Sequence, residues 1–378
     1  GCIMVRQCHS NTCPVGVCTQ DEKLRARFGG SPEKVVNLFS FIAEDVREIL
    51  AGLGFRKLEE VIGRTDLLYQ KSRGAEELDD LDLNPLLVQA DPGSHARVST
   101  RTGRNEVPDT LDAQIEADAQ AFLAGGEKMQ LTYNVRNTMR SIGARISSRI
   151  VRKWGMTGLP HAHLTLRLRG SCGQSLGAFA VQGIKIEVFG DANDYVGKGL
   201  SGATISLRPT TASQFAARDN TIIGNTVLYG ATGGKLYAAG QAGERFAVRN
   251  SGADAVIEGC GSNGCEYMTG GVVAILGAIG DNFAAGMTGG MAFVYDADGL
   301  FEEHINADTV VWQRVQTAHW ERTLRTLVEE HRRETGSLYA QQLLAHWDEE
   351  LGNFWQVVPK EMLTRLAQPL TETQQAAE

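Results

Sequence analysis

Between Leu164 and Asp296 the chain is a series of short β-forming runs punctuated by glycine, and the corner glycines keep step. Gly183 and Gly202 have the same spacing as Gly271 and Gly290. Leu164, Leu166 and Leu168 alternate with Thr165, Arg167 and Arg169, a two-residue period that marks a strand. The runs that follow are Ile184–Phe189, Ala203–Leu207, Thr226–Tyr229, Lys235–Ala238, Arg245–Val248, Ala255–Glu258, Val272–Leu276 and Met291–Tyr295. Strand–turn units repeating every ~20 residues predict a β-solenoid, in which each coil stacks its apolar residues on those of the next.

The flanks read as helical. Ser31-Pro32-Glu33 is a helix start, and Val35, Leu38, Phe39, Ile42, Val46, Ile49, Leu50 and Leu53 follow at helical spacing to Gly52 and Gly54. A second short helix is expected at Leu58–Ile62. Residues 70–108, with Pro85, Pro92 and Pro108, read as a long connection. Asp109–Leu123 and residues 137–154 read as further helices, the second with Met139, Ile142, Ile146, Ile150 and Trp154 inward and Arg140, Arg145, Arg149, Arg152 and Lys153 outward. Trp312–Arg333 and Ser337–Leu351 close the chain in helices, with Trp347, Phe354 and Trp355 as apolar anchors. A short helix after Pro359 and a polar tail complete it.

The chemistry is concentrated at the start, in Gly1-Cys2-Ile-Met-Val-Arg-Gln-Cys8-His-Ser-Asn-Thr-Cys13-Pro14. Three thiolates in one irregular loop can hold a metal centre, and three sulfurs suit a three-iron cluster better than a four-iron one. Cys18 extends the run to four, which leaves a zinc site open, although zinc motifs usually pair cysteines two to four apart. Inert buried thiols are the third reading. Arg6 and His9 beside the thiols suit a negatively charged cluster, and equally a solvated loop face. Elsewhere the signals are weak. Gly197-Lys198-Gly199-Leu200-Ser201-Gly202 lacks the spacing of a phosphate loop and reads as turns. Cys172, Cys260 and Cys265 read as small residues at tight corners. No histidine falls between Gly170 and Tyr295, so that tract carries no histidine base.

Bulk properties exclude several classes. The 378 residues suffice for two or three domains, with 42% hydrophobic and 22% charged residues. No apolar run approaches the length that spans a membrane. Of the net charge of −8, the segment from Asp296 onward supplies all, with 15 acids against seven basic residues. A mildly acidic chain without a basic, aromatic-rich stripe is a poor nucleic-acid binder. Seven cysteines, an odd number with four of them clustered at the start of a large chain, and no signal peptide point to a reducing, cytoplasmic setting. Gly1 falls inside a motif, which predicts a processed piece or a C-terminal segment of a longer polypeptide.

The chain resembles the C-terminal part of the large (α) subunit of glutamate synthase over almost its whole length. The opening loop from Gly1 to Gly16 resembles that family's three-iron cluster loop. Gly170-Ser-Cys-Gly-Gln-Ser-Leu-Gly-Ala-Phe179 and Gly190-Asp-Ala-Asn-Asp-Tyr-Val-Gly-Lys-Gly-Leu-Ser-Gly202 resemble its GXGXG domain. Trp347-Asp-Glu-Glu-Leu-Gly-Asn-Phe-Trp-Gln-Val-Val-Pro359 resembles its close. The resemblance implies a mixed, mainly β fold: a right-handed β-helix preceded by a cysteine loop and helices from the end of a flavin (β/α)8 barrel, with C-terminal helices. The implied divisions are residues 1–68 (cluster loop and barrel end), 69–136 (connection), 137–310 (β-helix), 311–370 (helices) and 371–378 (tail).

It also implies Cys2, Cys8 and Cys13 as ligands of a [3Fe-4S] cluster, Cys18 as a non-ligand, and Gly1, Ile3, Met4, Val5 and Arg6 as neighbours of FMN. The family makes two L-glutamate from L-glutamine, 2-oxoglutarate and a reductant. The resemblance favours NADPH as donor, through FAD and [4Fe-4S] clusters on a small β subunit in a hetero-oligomer. This segment contributes no catalytic side chain and is inactive alone; it supplies the electron relay and braces the upstream glutaminase and FMN domains. Two other readings stay open: a non-catalytic β-helix assembly subunit like that of formylmethanofuran dehydrogenase, and a four-cysteine zinc module.

Overall fold

The computed structural model describes residues 1–6, 12–19, 21–90, 93–95, 98–106 and 108–371. Cys8 and His9 of the cysteine loop, Pro92, and the tail from residue 372 lie outside them. In chain order the α-helices are α1 Glu22–Arg25, α2 Pro32–Gly52, α3 Glu76–Asp79, α4 Leu111–Asp118, α5 Gln120–Gly125, α6 Ala144–Trp154, α7 Phe301–His304, α8 Ala318–Thr335, α9 Leu338–Ala345 and α10 Trp347–Glu350. The strands are β1 Met129–Val135, β2 Leu164–Cys172, β3 Ile184–Ala192, β4 Ser201–Arg208, β5 Thr221–Ile223, β6 Gly233–Ala238, β7 Gln241–Ala242, β8 Asp254–Ile257, β9 Thr269–Ile275, β10 Gly289–Tyr295, β11 Val310–Arg314 and β12 Phe354–Pro359.

The chain forms two compact units. The first comprises Gly1–Ile3 and Arg27–Pro108. Its main element is α2, which starts as expected: the Ser31 hydroxyl accepts from the Lys34 amide and Pro32 opens the helix. None of its side chains is buried, and Val36, Phe39, Phe41 and Ile49 are more than half exposed. The expected helix at Leu58–Ile62 is a single 3-10 turn, Leu58–Glu60.

The second unit comprises Met4–Ala26 and Asp109–Glu378. Its 12-stranded sheet has the order β1-β2-β3-β4-β6-β8-β9-β10-β12-β11, with β5 and β7 off this path. It is parallel from β1 to β10, and β12 runs antiparallel to both of its neighbours, β10 and β11. The fold is mixed α/β with a large, mostly parallel sheet. Registers repeat the sequence step: Leu164 pairs with Ile184, Lys185 with Thr204, Lys235 with Asp254 and Ala255 with Val273. One step is longer, from Thr204 to Lys235.

Registers determine what stacks. Leu166, Ile186, Ile205, Leu236, Ala255, Val273 and Ala292 are successive partners across seven strands, and all are fully buried. Burying a Leu or Ile contributes about 1.5–3 kcal/mol, so this column is a main source of stability. The alternate residues face the other way. There Tyr237, Val256, Ala274 and Phe293 form a second cluster with Trp320, Leu324, Leu327 and Val328 of α8 and Leu343 of α9. Helix α6 packs Ile146 and Ile150 inward with the buried Ile142 just before it, as its periodicity predicts. The buried Asp112 carboxylate caps its start, accepting from the amides of Gly143 and Arg145, both at 2.7 Å.

Several expected elements differ. Thr226–Tyr229 and Arg245–Val248 are turns, not strands. Within them Thr226 and Leu228, and Arg245 and Ala247, take φ near +60°. The chain therefore winds tightly, and its amides bond to adjacent turns, as Thr226 N–H does to the Glu244 carbonyl and Ala247 N–H to that of Val227. Apolar residues there are buried, which imitated a strand in the sequence. Residues 137–143 are not helical, and β1, paired with β2, was not anticipated. The expected helix 109–123 breaks at Ala119. Residues 312–314, expected to begin the helix to Arg333, lie instead in a strand, because they pair with β12, itself built from the anchors Phe354 and Trp355. Ser337–Leu351 divides at His346. The sheet takes in β1 and β12, which lie outside the 137–310 span expected for the β-rich domain.

Candidate metal centre

Residues 13–16 form a turn in which the Gly16 amide donates to the Cys13 carbonyl at 3.1 Å. Pro14 suits its second position. Gly16 has φ +79°, and a Cβ there would stand 2.1 Å from the Leu24 carbonyl oxygen, so only glycine fits. The chain then enters α1, whose N-cap Asp21 accepts from Leu24 N–H and pairs with Arg365 at 3.6 Å.

This turn wraps one sulfur. Cys13 is buried, whereas Cys2 and Cys18 are exposed. Burial pushes the Cys13 thiol up. Hydrogen bonds from the Cys18 amide and thiol, and from the amides of Val15 and Val17, outweigh this and lower it to about 7. Cys13 therefore loses its proton more readily than an ordinary thiol, and thiolate is the form a metal requires. The donor set fits an iron–sulfur ligand at this position. The structure brings Cys18 to Cys13 as a hydrogen-bond donor.

Cys8 lies outside the described residues. Among the described residues no group of three or more His, Cys, Asp or Glu side chains stands ready to hold a metal, and no cysteine is in a disulfide. Gly1, Ile3, Met4, Val5 and Arg6 are all exposed and outside any helix or strand, and Met4 and Arg6 take φ of 57° and 63°. The remaining cysteines behave differently. Burial raises Cys172 and Cys260 to about 12 and Cys265 well above its ordinary value, so these thiols stay protonated and inert.

Sequence reasoning missed a second polar centre. Glu258, His331 and Ser337 are buried together where α8 and α9 meet the sheet. Glu258 Oε1 accepts from the Ser337 hydroxyl and lies 3.2 Å from His331 Nε2. The one long step in the repeat, between Thr204 and Lys235, was its only trace in the sequence, since residues 209–218 from that step line the adjoining cavity.

Residues 112–360 match the model of the family described as GXGXG motif. The chain belongs to the GXGXG family. Residues 1–56 match a second family, described as a conserved region in glutamate synthase. Among curated relatives, the "Glutamate synthase [NADPH] large chain" of Azospirillum brasilense is 70% identical over 370 residues, covering 98% of this chain and 24% of the relative. "Ferredoxin-dependent glutamate synthase 2" of Synechocystis sp. is 47% identical, covering 95% of this chain and 23% of the relative. "Glutamate synthase [NADH]" of Schizosaccharomyces pombe is 44% identical, covering 100% and 18%. The chain therefore spans about a quarter or less of the length of these relatives. Among the described residues no helix is long and apolar enough to cross a membrane.

Proposed function

We propose that this chain is the C-terminal part of a glutamate synthase large subunit, an oxidoreductase that converts L-glutamine, 2-oxoglutarate and a two-electron reductant to two L-glutamate and the oxidised donor. In this reading Cys2, Cys8 and Cys13 hold a [3Fe-4S] cluster, and Gly1 and Ile3–Arg6 line the approach to FMN held mainly by an upstream barrel. When bound, the cluster supplies one-electron transfer beside a two-electron flavin. The observation that carries the proposal is the buried Cys13 sulfur, wrapped by the turn of residues 13–16 and approached by the amides of Val15, Val17 and Cys18. Those amides also point positive charge at the sulfur, which favours a negatively charged ligand set. Cys18 donates to this sulfur and is a positioning residue.

The near-constant chain length between paired strands, with the extra β3–β5–β7 ladder, supports a right-handed β-helix for the GXGXG region. Its work is bracing. The exposed apolar face of α2 supports a place against the upstream barrel. The 70% identity to the Azospirillum brasilense NADPH form, against 47% to the Synechocystis ferredoxin form, favours NADPH as donor, with FAD and [4Fe-4S] on a β subunit, in the cytoplasm. The glutamate synthase names of the relatives do not favour the assembly-subunit alternative.

Metal and sulfide analysis of the full gene product, prepared without oxygen, tests this. Iron with sulfide, and a low-temperature EPR signal of an oxidised three-iron centre lost in Cys13→Ala, are expected. Zinc without sulfide, or no metal, overturns the reading.

A further inference from the structure

Two cavities flank one buried carboxylate. The first, about 540 Å³, is lined by Arg218, Glu258, Tyr295, Asp296, Phe301 and Tyr339, among others. The second, about 590 Å³, shares Arg218, Glu258, Tyr339 and Gln342 with it. Both volumes are in the range of small-molecule sites. We infer that the first cavity binds a small molecule through a primary ammonium group, with Glu258 as its counter-ion.

The argument starts from an unmet valence. Glu258 is 2% exposed. Its Oε1 is occupied by Ser337 and His331, but its Oε2 has no hydrogen-bond partner, and neither has His331 Nδ1. Buried carboxylate oxygens are rarely left so, and each case calls for a missing partner. Two other acids of the first cavity are already engaged. Asp296 accepts from the Trp355 indole and the Leu300 amide, and Glu350 from Tyr295 and Asn353. With Asp219 and Asp298 they nonetheless give this cavity an excess of negative charge over Arg218. A cationic donor is the complementary ligand. Among the described residues no metal-holding group occurs, which favours a directional N–H donor over a bare ion.

The chain also departs from its own repeat to build this place. The pairing step between β4 and β6, from Thr204 to Lys235, is more than half as long again as that from Ala255 to Val273. The ladder does not need the extra residues. They supply Thr210, Phe215, Arg218 and Asp219 to the cavity walls. Arg218 lies 5.0 Å over the Tyr339 ring, and burial raises the Tyr339 phenol to about 12, so it remains a neutral donor.

The inference stands apart from the electron-transfer reading and is tested by binding alone. The full gene product is titrated with putrescine, glycine and L-lysine by saturation-transfer NMR and equilibrium dialysis, beside 1,4-butanediol and glycolate as matched compounds without nitrogen. At least one ammonium probe is expected to bind, its nitrogen-free match to fail, and Glu258→Gln to weaken binding about tenfold or more. Putrescine alone binding identifies an amine site; binding of glycine or L-lysine that Arg218→Ala weakens identifies an amino-acid site. Because Glu258→Gln disturbs a buried cluster, Ala278→Trp is the second variant. It narrows the first cavity from an exposed lining position and leaves Glu258 and its partners in place. Absence of binding by every probe, equal binding of the matched compounds, or binding unchanged in Ala278→Trp overturns the inference.

Discussion

The Lys235 ammonium on β6 reaches the Glu330 carboxylate on α8 at 2.7 Å. Tyr237, two residues along the same strand, donates its hydroxyl to that carboxylate. One acid on the covering helix is thus held by two residues of a single strand, at the edge of the apolar cluster that joins helix to sheet.

Lys235→Ala should weaken the seating of α8 without touching the cysteine loop. Lys235 is 41% exposed, so solvent screens the pair and a coupling of about 0.5–1 kcal/mol is expected. A double-mutant cycle with Glu330→Gln, read by thermal midpoint, measures it. Zero coupling would show that apolar packing alone seats the helix.

The same carboxylate gives a pH dependence. Burial raises Glu330, but the bonds from Lys235 and Tyr237 more than reverse this and hold it below the usual range. The native state then binds fewer protons than the unfolded chain. Stability from this group is complete above the ordinary glutamate value and is lost as pH falls through that value and the lower folded one. The thermal midpoint of Glu330→Gln should therefore fall less on acidification than that of the parent protein. Parallel curves would contradict this.

At the cysteine loop the two neighbouring thiols should separate. Cys13→Ser should abolish iron binding in the full gene product. Cys18→Ser should retain iron and its EPR signal, because a serine hydroxyl still donates to the Cys13 sulfur. Loss of iron in Cys18→Ser would make Cys18 a ligand.

Gly202 has φ +121°, and a Cβ there would lie 2.9 Å from the Gln182 amide nitrogen. Gly202→Val should cost about 1–3 kcal/mol through backbone strain and crowding between successive turns. An unchanged midpoint in denaturant would place the corner among ordinary loops.

Asp112→Ala should leave the amides of Gly143 and Arg145 without their acceptor. A lost cap of this kind costs about 0.5–2 kcal/mol. Faster amide hydrogen exchange in the first turn of α6, beyond any global change, is the expected readout.

The repeat was legible because a parallel ladder demands equal chain length per rung, and Gly183, Gly202, Gly271 and Gly290 mark that length. Helix α2 was legible because Ser31 and Pro32 make its start explicit. The turns at Thr226 and Arg245 were not, since non-glycine residues at φ near +60° carry no compositional mark and depend on bonds to neighbouring turns. Strand β1 was hidden for a related reason: its pairing with β2 is a tertiary contact between segments separated by a helix. At the candidate metal centre, the cysteines and their spacing were readable. The amides that lower Cys13 were not, because backbone donors leave no trace in residue identity. Glu258 was missed because its partners His331 and Ser337 are more than 70 positions away.

The reversal of direction at β12 has a consequence for assembly. A stack of parallel rungs is open-ended, and its last strand presents a row of amides and carbonyls on which another molecule's first rung can continue. Here β12 runs against β10 and β11 runs against β12, so the rung after β10 is laid by the chain itself in the opposite sense. An arriving copy would meet β11, with Arg314 flattened over the Trp355 ring, rather than another rung of the stack. The fold thereby covers the edge of its last parallel rung with strands of its own chain, and leaves β11 as the edge at that end.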